Sequence, residues 1–143
     1  MRGTVGGSRD IFMSQNTTVG LSEIGQIAIN IKDLARAVQF YKEKLGMKHL
    51  FTAGTLAFFD CGGVRLMLSP AEKPEFDHPS SIIYFKVSRT ADAYEALHAR
   101  GVQFEDKPHI VARLPNHDLW MAFFRDSENN LLSIMSEEAR PAN

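Results

Sequence analysis

The stretch Gln26-Ile27-Ala28-Ile29-Asn30-Ile31, followed by the helical pattern from Asp33 to Leu45, decides the fold because the chain says nearly the same thing again later. Ile82-Ile83-Tyr84-Phe85-Lys86-Val87 is a second alternating strand, and a helical pattern from Thr90 to Arg100 follows it. Each helix pattern stops at a glycine, Gly46 or Gly101. The triplet Ala-Phe-Phe then recurs, as Ala57-Phe58-Phe59 and Ala122-Phe123-Phe124. Each triplet leads through a turn into one more apolar strand, Arg65 to Ser69 or Leu131 to Met135. The order strand-helix-strand-strand-strand therefore occurs twice, over about residues 21–70 and 80–138. Repeats of this length signal two copies of one supersecondary unit that complete each other's core.

Alternation assigns the faces. Ile27, Ile29 and Ile31 share one side of the first strand, and Gln26, Ala28 and Asn30 share the other. Leu34, Val38, Tyr41 and Leu45 recur at helical spacing and offer the isoleucines an apolar partner. Asp33 is the expected N-cap and Gly46 the left-handed C-cap. In the second copy Ile83, Phe85 and Val87 face a helix carrying Ala93, Tyr94 and Leu97, with Thr90 as the expected cap. The fold class is therefore α+β: two βαβββ repeats forming a half-open, eight-stranded mixed sheet with helices on the outer face. The other face is a cup lined by Gln26, Ala28, Asn30, Arg65, Met67, Ser69, Ile82, Tyr84, Lys86, Leu131, Ser133 and Met135. Polar anchors on an apolar wall suit a small-molecule pocket. The same mixture also suits a solvated sheet face or a dimer contact.

Length and composition fit one domain. The chain has 143 residues, 44% hydrophobic and 23% charged, which is ordinary for a compact fold. A net charge of -1 gives no electrostatic footprint for nucleic acid or an anionic membrane. No apolar run reaches the roughly 18 residues a membrane helix needs. The single cysteine, Cys61, cannot form an internal disulfide, which points to the cytoplasm. Residues 1–20 carry no periodicity. They read as a disordered extension with Met13 as the native start.

The pattern Gln26-Ile-Ala-Ile-Asn-Ile-Lys-Asp33-Leu-Ala-Arg-Ala-Val-Gln-Phe40-Tyr41-Lys-Glu-Lys-Leu45-Gly46 resembles the first unit of the vicinal oxygen chelate superfamily, which holds glyoxalases, bleomycin-resistance proteins and extradiol dioxygenases. Phe124-Arg125-Asp126-Ser127-Glu128-Asn129-Asn130-Leu131 is similar to its second signature. Ser127 stands where that signature has proline, and Asn129 where it has glycine. Asparagine tolerates positive φ, so the turn should survive. The resemblance implies a homodimer with a small-molecule ligand. It also implies four metal-ligand positions, which here are Gln26, Met67, Ile82 and Ser133. Only Gln26 is of a type used there, and thioether, alkyl and hydroxyl groups are poor partners for a divalent first-row ion. No cofactor is expected.

Two functions follow. One is a metal-free binding protein of the sequestering or resistance kind, with Gln26, Asn30, Arg65, Met67, Ile82, Tyr84, Trp120 and Ser133 against the ligand. The other is a glyoxalase-like lyase or isomerase, or a dioxygenase, with an atypical metal site. His109, His117 and Tyr84 are its acid-base candidates, because a hairpin over residues 108–124 could bring the two histidines together. Surface histidines are the commoner outcome.

Overall fold

The computed structural model describes residues 20–141; the expected leader falls outside them, apart from Gly20. The first unit comprises β1 (Gln26–Asn30), α1 (Leu34–Gln39) continued by a π-helical turn (Phe40–Lys44), β2 (Lys48–Ala53), β3 (Leu56–Cys61) and β4 (Val64–Ser69). The second comprises β5 (Ile83–Lys86), α2 (Thr90–Ala99), β6 (Gln103–Phe104), β7 (His109–Arg113), β8 (His117–Arg125) and β9 (Leu131–Ala139). The first sheet runs β1-β4-β3-β2 and the second β5-β9-β8-β6, with β7 also on β8. In both, the first strand lies parallel to the last and the remaining pairings are antiparallel.

Two differences from the expected eight-stranded sheet stand out. The second edge strand is broken into β6 and β7, which pair with opposite ends of β8. That gives five strands where the first unit has four. The two units also form separate sheets, since no hydrogen-bonded ladder joins β1 to β5 among the described residues. They meet through a common core instead. Ile29, Ile31, Leu66 and Leu68 from the first sheet, Ala122, Phe124, Leu132 and Ile134 from the second, and Ala37, Phe40 and Tyr41 from α1 and its π turn belong to one buried cluster. Ile29, Ile31, Leu66, Leu68, Leu132 and Ile134 have the parity expected on the helix side, and Ala122 and Phe124 join them there, so hydrophobic burial fixes the face.

The junction between units is polar and specific. Asp126 in the β8–β9 turn accepts the Tyr41 hydroxyl at 2.6 Å, the Asn130 amide side chain at 2.9 Å, and the Glu128 and Asn130 backbone N–H groups at 2.8 Å each. The π turn closes through Leu45 N–H to the Phe40 carbonyl at 3.1 Å. Burial, and then the Asp126 charge, push the Tyr41 phenol well above its usual pKa, so it stays a donor. Asn129 adopts φ 68°, the left-handed conformation asparagine was expected to supply.

Glu128 then clasps the start of α1. One carboxylate oxygen accepts the backbone N–H groups of Lys32 and Asp33 at 2.8 and 2.9 Å. The Arg36 guanidinium donates to both oxygens, and the Ser127 hydroxyl donates at 2.8 Å. Asp33 caps the helix as expected, accepting Arg36 N–H at 3.0 Å. At α2 the expectation fails in detail. Arg89 occupies the cap position without a side-chain bond. Thr90 is the first helical residue, and its N–H donates to Ser136 Oγ and Glu138 Oε2 on β9. Side chains of the second unit's final strand and turn thus secure both helix starts, where unpaired N–H groups need acceptors.

Burial alone would raise the Glu128 pKa, but the hydrogen bonds from Arg36, Asp33, Lys32 and Ser127 outweigh it and lower it to about 2 from 4.5. A pKa lowered on folding contributes stability that is full above about 4.5 and lost as pH falls towards 2. Glu128→Gln is expected to cost about 3 kcal/mol near neutral pH, with the gap from the parent shrinking by more than half by about pH 3. Urea unfolding across that range checks this, and a gap independent of pH would refute it.

Candidate functional site

The cup-facing positions of the first sheet form one contact chain across all four strands. Phe51 on β2 lies 4.7 Å from Phe58 on β3, centroid to centroid. The Arg65 guanidinium on β4 lies over the same Phe58 ring at 4.9 Å. Arg65 Nε–H donates to Gln26 Oε1 on β1 at 2.8 Å, and Gln26 Nε2 reaches Met67 Sδ at 3.7 Å. The order follows from register, because Gln26 pairs with Arg65, Ala28 with Met67, and Met67 with Phe58. Phe58 is buried beneath this assembly although it points away from the core, while Gln26, Ala28 and Arg65 stay exposed.

The second sheet presents Tyr84, Phe123 and Ser133 side by side. Ser133 pairs with Tyr84 on one flank and Phe123 on the other. The two rings meet edge to face at 5.8 Å, and Ser133 is fully buried. Its hydroxyl points to the carbonyls of Ala122 and Ile134 at 3.1 and 3.0 Å. Tyr84 remains 41% exposed, so the wall is open at the ring and closed at the serine.

Asn30 and Ile82 meet at a third place, a cleft of about 640 Å³ that also takes in His78, Arg125 and Leu131. The Asn30 amide holds the linker between units, donating to the carbonyls of Phe76 at 2.6 Å and His78 at 3.1 Å. This cleft takes in neither the Gln26-Arg65-Met67 group nor the Tyr84-Ser133 pair.

Two sequence expectations change. Trp120 pairs with Ile110 and shares the parity of Ala122 and Phe124. It therefore points to the helix side, where its carbonyl accepts the Thr90 hydroxyl, and not into the cup. A large aromatic on an alternating strand gives no sign of its face until the register is known. His109 and His117 are not brought together. His109 pairs with Met121, four residues along β8 from His117, a separation of about 13 Å at the usual strand rise. His109 Nδ1 lies 2.8 Å from the Lys107 carbonyl and 3.8 Å from Asp106. Both histidines are exposed. Cys61 closes β3 at a glycine turn. Burial, then the Asp60 charge, raise its pKa, which disfavours the nucleophilic thiolate.

Phe51 was overlooked, and Phe58 was singled out only as one of an adjacent pair. In each repeated Ala-Phe-Phe triplet adjacent phenylalanines point to opposite faces, so one of each pair must face the cup or a partner, and the ladders put Phe58 and Phe123 on the cup side. His78 sits in the linker, where no periodicity could signal it.

The four positions that the resemblance makes ion ligands do not suit an ion. Gln26 Oε1 already faces a guanidinium, Met67 and Ile82 offer a thioether and an alkyl group, and the Ser133 hydroxyl is turned into the sheet. Among the described residues, no group of three or more His, Cys, Asp or Glu side chains is arranged to hold a metal.

The comparisons agree with this architecture. The model of the Glyoxalase/Bleomycin resistance protein/Dioxygenase superfamily matches residues 23–134, and the chain belongs to that superfamily. It is 29% identical over 126 residues to the uncharacterized protein YraH of Bacillus subtilis (strain 168), covering 76% of this chain and 94% of that protein. Among solved structures, a glyoxalase/bleomycin resistance protein/dioxygenase from Nocardioides matches with TM-score 0.68 at 23% identity, covering 90% of this chain and 93% of the other. Lactoylglutathione lyase from Agrobacterium tumefaciens matches with TM-score 0.59 at 23% identity, covering 81% and 94%. At these identities the structural matches speak to fold alone. Among the described residues no helix is long and apolar enough to cross a membrane.

Ser133→Glu, which installs a ligand-type carboxylate at its position, is expected to bury an unpaired charge. Thermal unfolding should show a loss of several kcal/mol and no recovery with divalent ions. Ion-dependent rescue would overturn the misfit drawn above.

Proposed function

We propose that this protein is a metal-free, small-molecule-binding member of its superfamily, of the sequestering or resistance kind, acting as a homodimer in the cytoplasm. One observation carries the reading. The position that would begin an ion site, Gln26, spends its coordinating oxygen on Arg65 at 2.8 Å, and its three counterparts supply no ligand set. A fixed guanidinium beside that oxygen repels a dication, where an ion site needs converging anionic or imidazole donors. The remaining surface is that of a binding wall: aromatic and thioether groups with a few polar anchors.

Incomplete walls support the homodimer. Within one chain the Arg65 wall and the Tyr84 wall share no hydrogen bond or ring contact among the described residues. Each ends in an exposed ring, Phe51 at 48% on one and Tyr84 at 41% on the other. Apolar groups of that size gain by association. A second copy could set its Tyr84 wall against the first copy's Arg65 wall, closing two equivalent pockets about a twofold axis.

A thermal-shift series of zinc, nickel, iron and manganese, with metal analysis of the purified protein, should give no bound ion and no stabilisation. Light scattering should give a particle of about twice the 16.0 kDa chain. Gln26→Ala and Tyr84→Ala should fold normally, since both side chains are exposed. Each should still weaken any ligand found by screening. A stoichiometric ion would sink the metal-free reading, and a monomer would sink the shared pocket.

A further inference from the structure

We infer that Arg65 is the recognition residue of the pocket and that the ligand class it selects is a small aromatic monocarboxylate. This rests on the small-molecule-binding reading and adds the chemistry of the ligand. Two contacts hold the guanidinium. Nε–H is tied to Gln26 Oε1 at 2.8 Å. Its central carbon lies over the Phe58 ring, 4.9 Å from the centroid, and Phe58 is itself backed by Phe51 at 4.7 Å. Gln26 is steadied in turn by Met67. These contacts use one of five N–H donors. Among the described residues, the four on the terminal nitrogens meet no hydrogen-bond acceptor and no carboxylate pairs with Arg65. Asp60, directly across the ladder from Arg65, bonds the Gly63 N–H at 3.3 Å through its Oδ1.

An arginine so placed differs from an ordinary surface cation. Of the other described arginines, Arg36, Arg89, Arg113, Arg125 and Arg140 each have a carboxylate within 4 Å, and Arg100 donates to the Lys44 carbonyl at 3.0 Å. Arg65 has a glutamine and an aromatic ring, which orient the fork without neutralising it. Its rotamer freedom is spent before any ligand arrives, so less is lost on binding. A planar fork with free terminal N–H groups matches the two oxygens of a carboxylate. One cation matches one negative charge; the next cation on this face, Lys48, stands opposite Asp60, whose carboxylate offsets it. The surface beside the fork is apolar and roomy. Ala28 is small and exposed next to Met67, and Phe51 stands half open. A ring joined to the carboxylate would lie against Phe51 and Met67. The fixed charge thus takes over, for a substrate oxygen, the attraction that a bound ion would provide.

The test uses the full-length protein with benzoate, benzamide and benzylamine, three probes of matched shape and different charge. Binding is followed by backbone amide shifts at Ala28, Met67 and Phe58 in NMR titrations to millimolar concentration. Benzoate should saturate these shifts, and benzamide and benzylamine should bind roughly tenfold more weakly or worse. Arg65→Ala should reduce benzoate affinity by roughly tenfold or more with its unfolding temperature little changed. Arg65→Lys should fall between them, because it keeps the charge and loses the fork. Arg89→Ala, which removes the same charge from the exposed start of α2, should bind benzoate like the parent. Equal binding of benzamide and benzoate, or full benzoate affinity in Arg65→Ala, would overturn the carboxylate assignment and leave the small-molecule reading standing. No saturable shift at these amides with any of the three probes would overturn both.

Discussion

The fold depends on a carboxylate-rich turn that the second unit lends to the first. Asp126 and Glu128 are both buried, and both have their oxygens occupied by donors. Asp126 fixes the turn through its own backbone and catches Tyr41 from the π turn. Glu128 gathers the N–H groups at the start of α1 together with Arg36. A buried charge is costly without partners, and strong when its partners are numerous and directed. Because these donors come from residues about ninety positions earlier, the turn can be satisfied only when the two units are docked. Docking sets β1 relative to the linker, where the Asn130 amide side chain donates to the Asn30 carbonyl and the Asn30 amide holds the linker carbonyls.

That clamp has a consequence for the cup. The units are joined through their helix-side core and the polar turn, and not through a shared β ladder. Each sheet therefore keeps its cup face clear of the shared core. The first face is organised by cation and aromatic stacking, Phe51 to Phe58 to Arg65 to Gln26. The second is organised by the edge-to-face pair of Tyr84 and Phe123 over a buried serine. The electrostatics of the two faces differ accordingly. The first offers a held positive charge, and the second an aromatic surface with one exposed phenol.

Much of this was legible in the chain. Alternation in β1, β4 and β9 assigned Ile29, Leu66, Leu68, Leu132 and Ile134 to the core side, and burial agrees. Asp33, Gly46 and Asn129 announced a cap, a helix end and a left-handed turn, because those are local demands of backbone geometry. The repeat announced two βαβββ units. The site was legible only as a set of positions. Gln26, Arg65 and Met67 were named singly, with no sign that they touch, since their contact needs a parallel β1–β4 pairing that spans about forty residues. Trp120 and the pair His109 and His117 misled for the same reason. A bulge between Ile110 and Ala112 shifts the hairpin register, and register decides both which face a ring occupies and which residues stand opposite.

Sequence by itself determined what local rules can enforce: strand faces through a period of two, helix ends through caps and glycines, and the duplication through self-similarity. Tertiary structure decided everything that depends on which distant strands become neighbours. It split the sheet in two, sent Asp126 and Glu128 to α1, buried Ser133, and laid the Arg65 guanidinium across Phe58 beside Gln26. The physical reason is that side-chain contacts across a ladder are set by register and docking. Those minimise the free energy of the whole core and its buried charges, and no single segment of the chain carries that information.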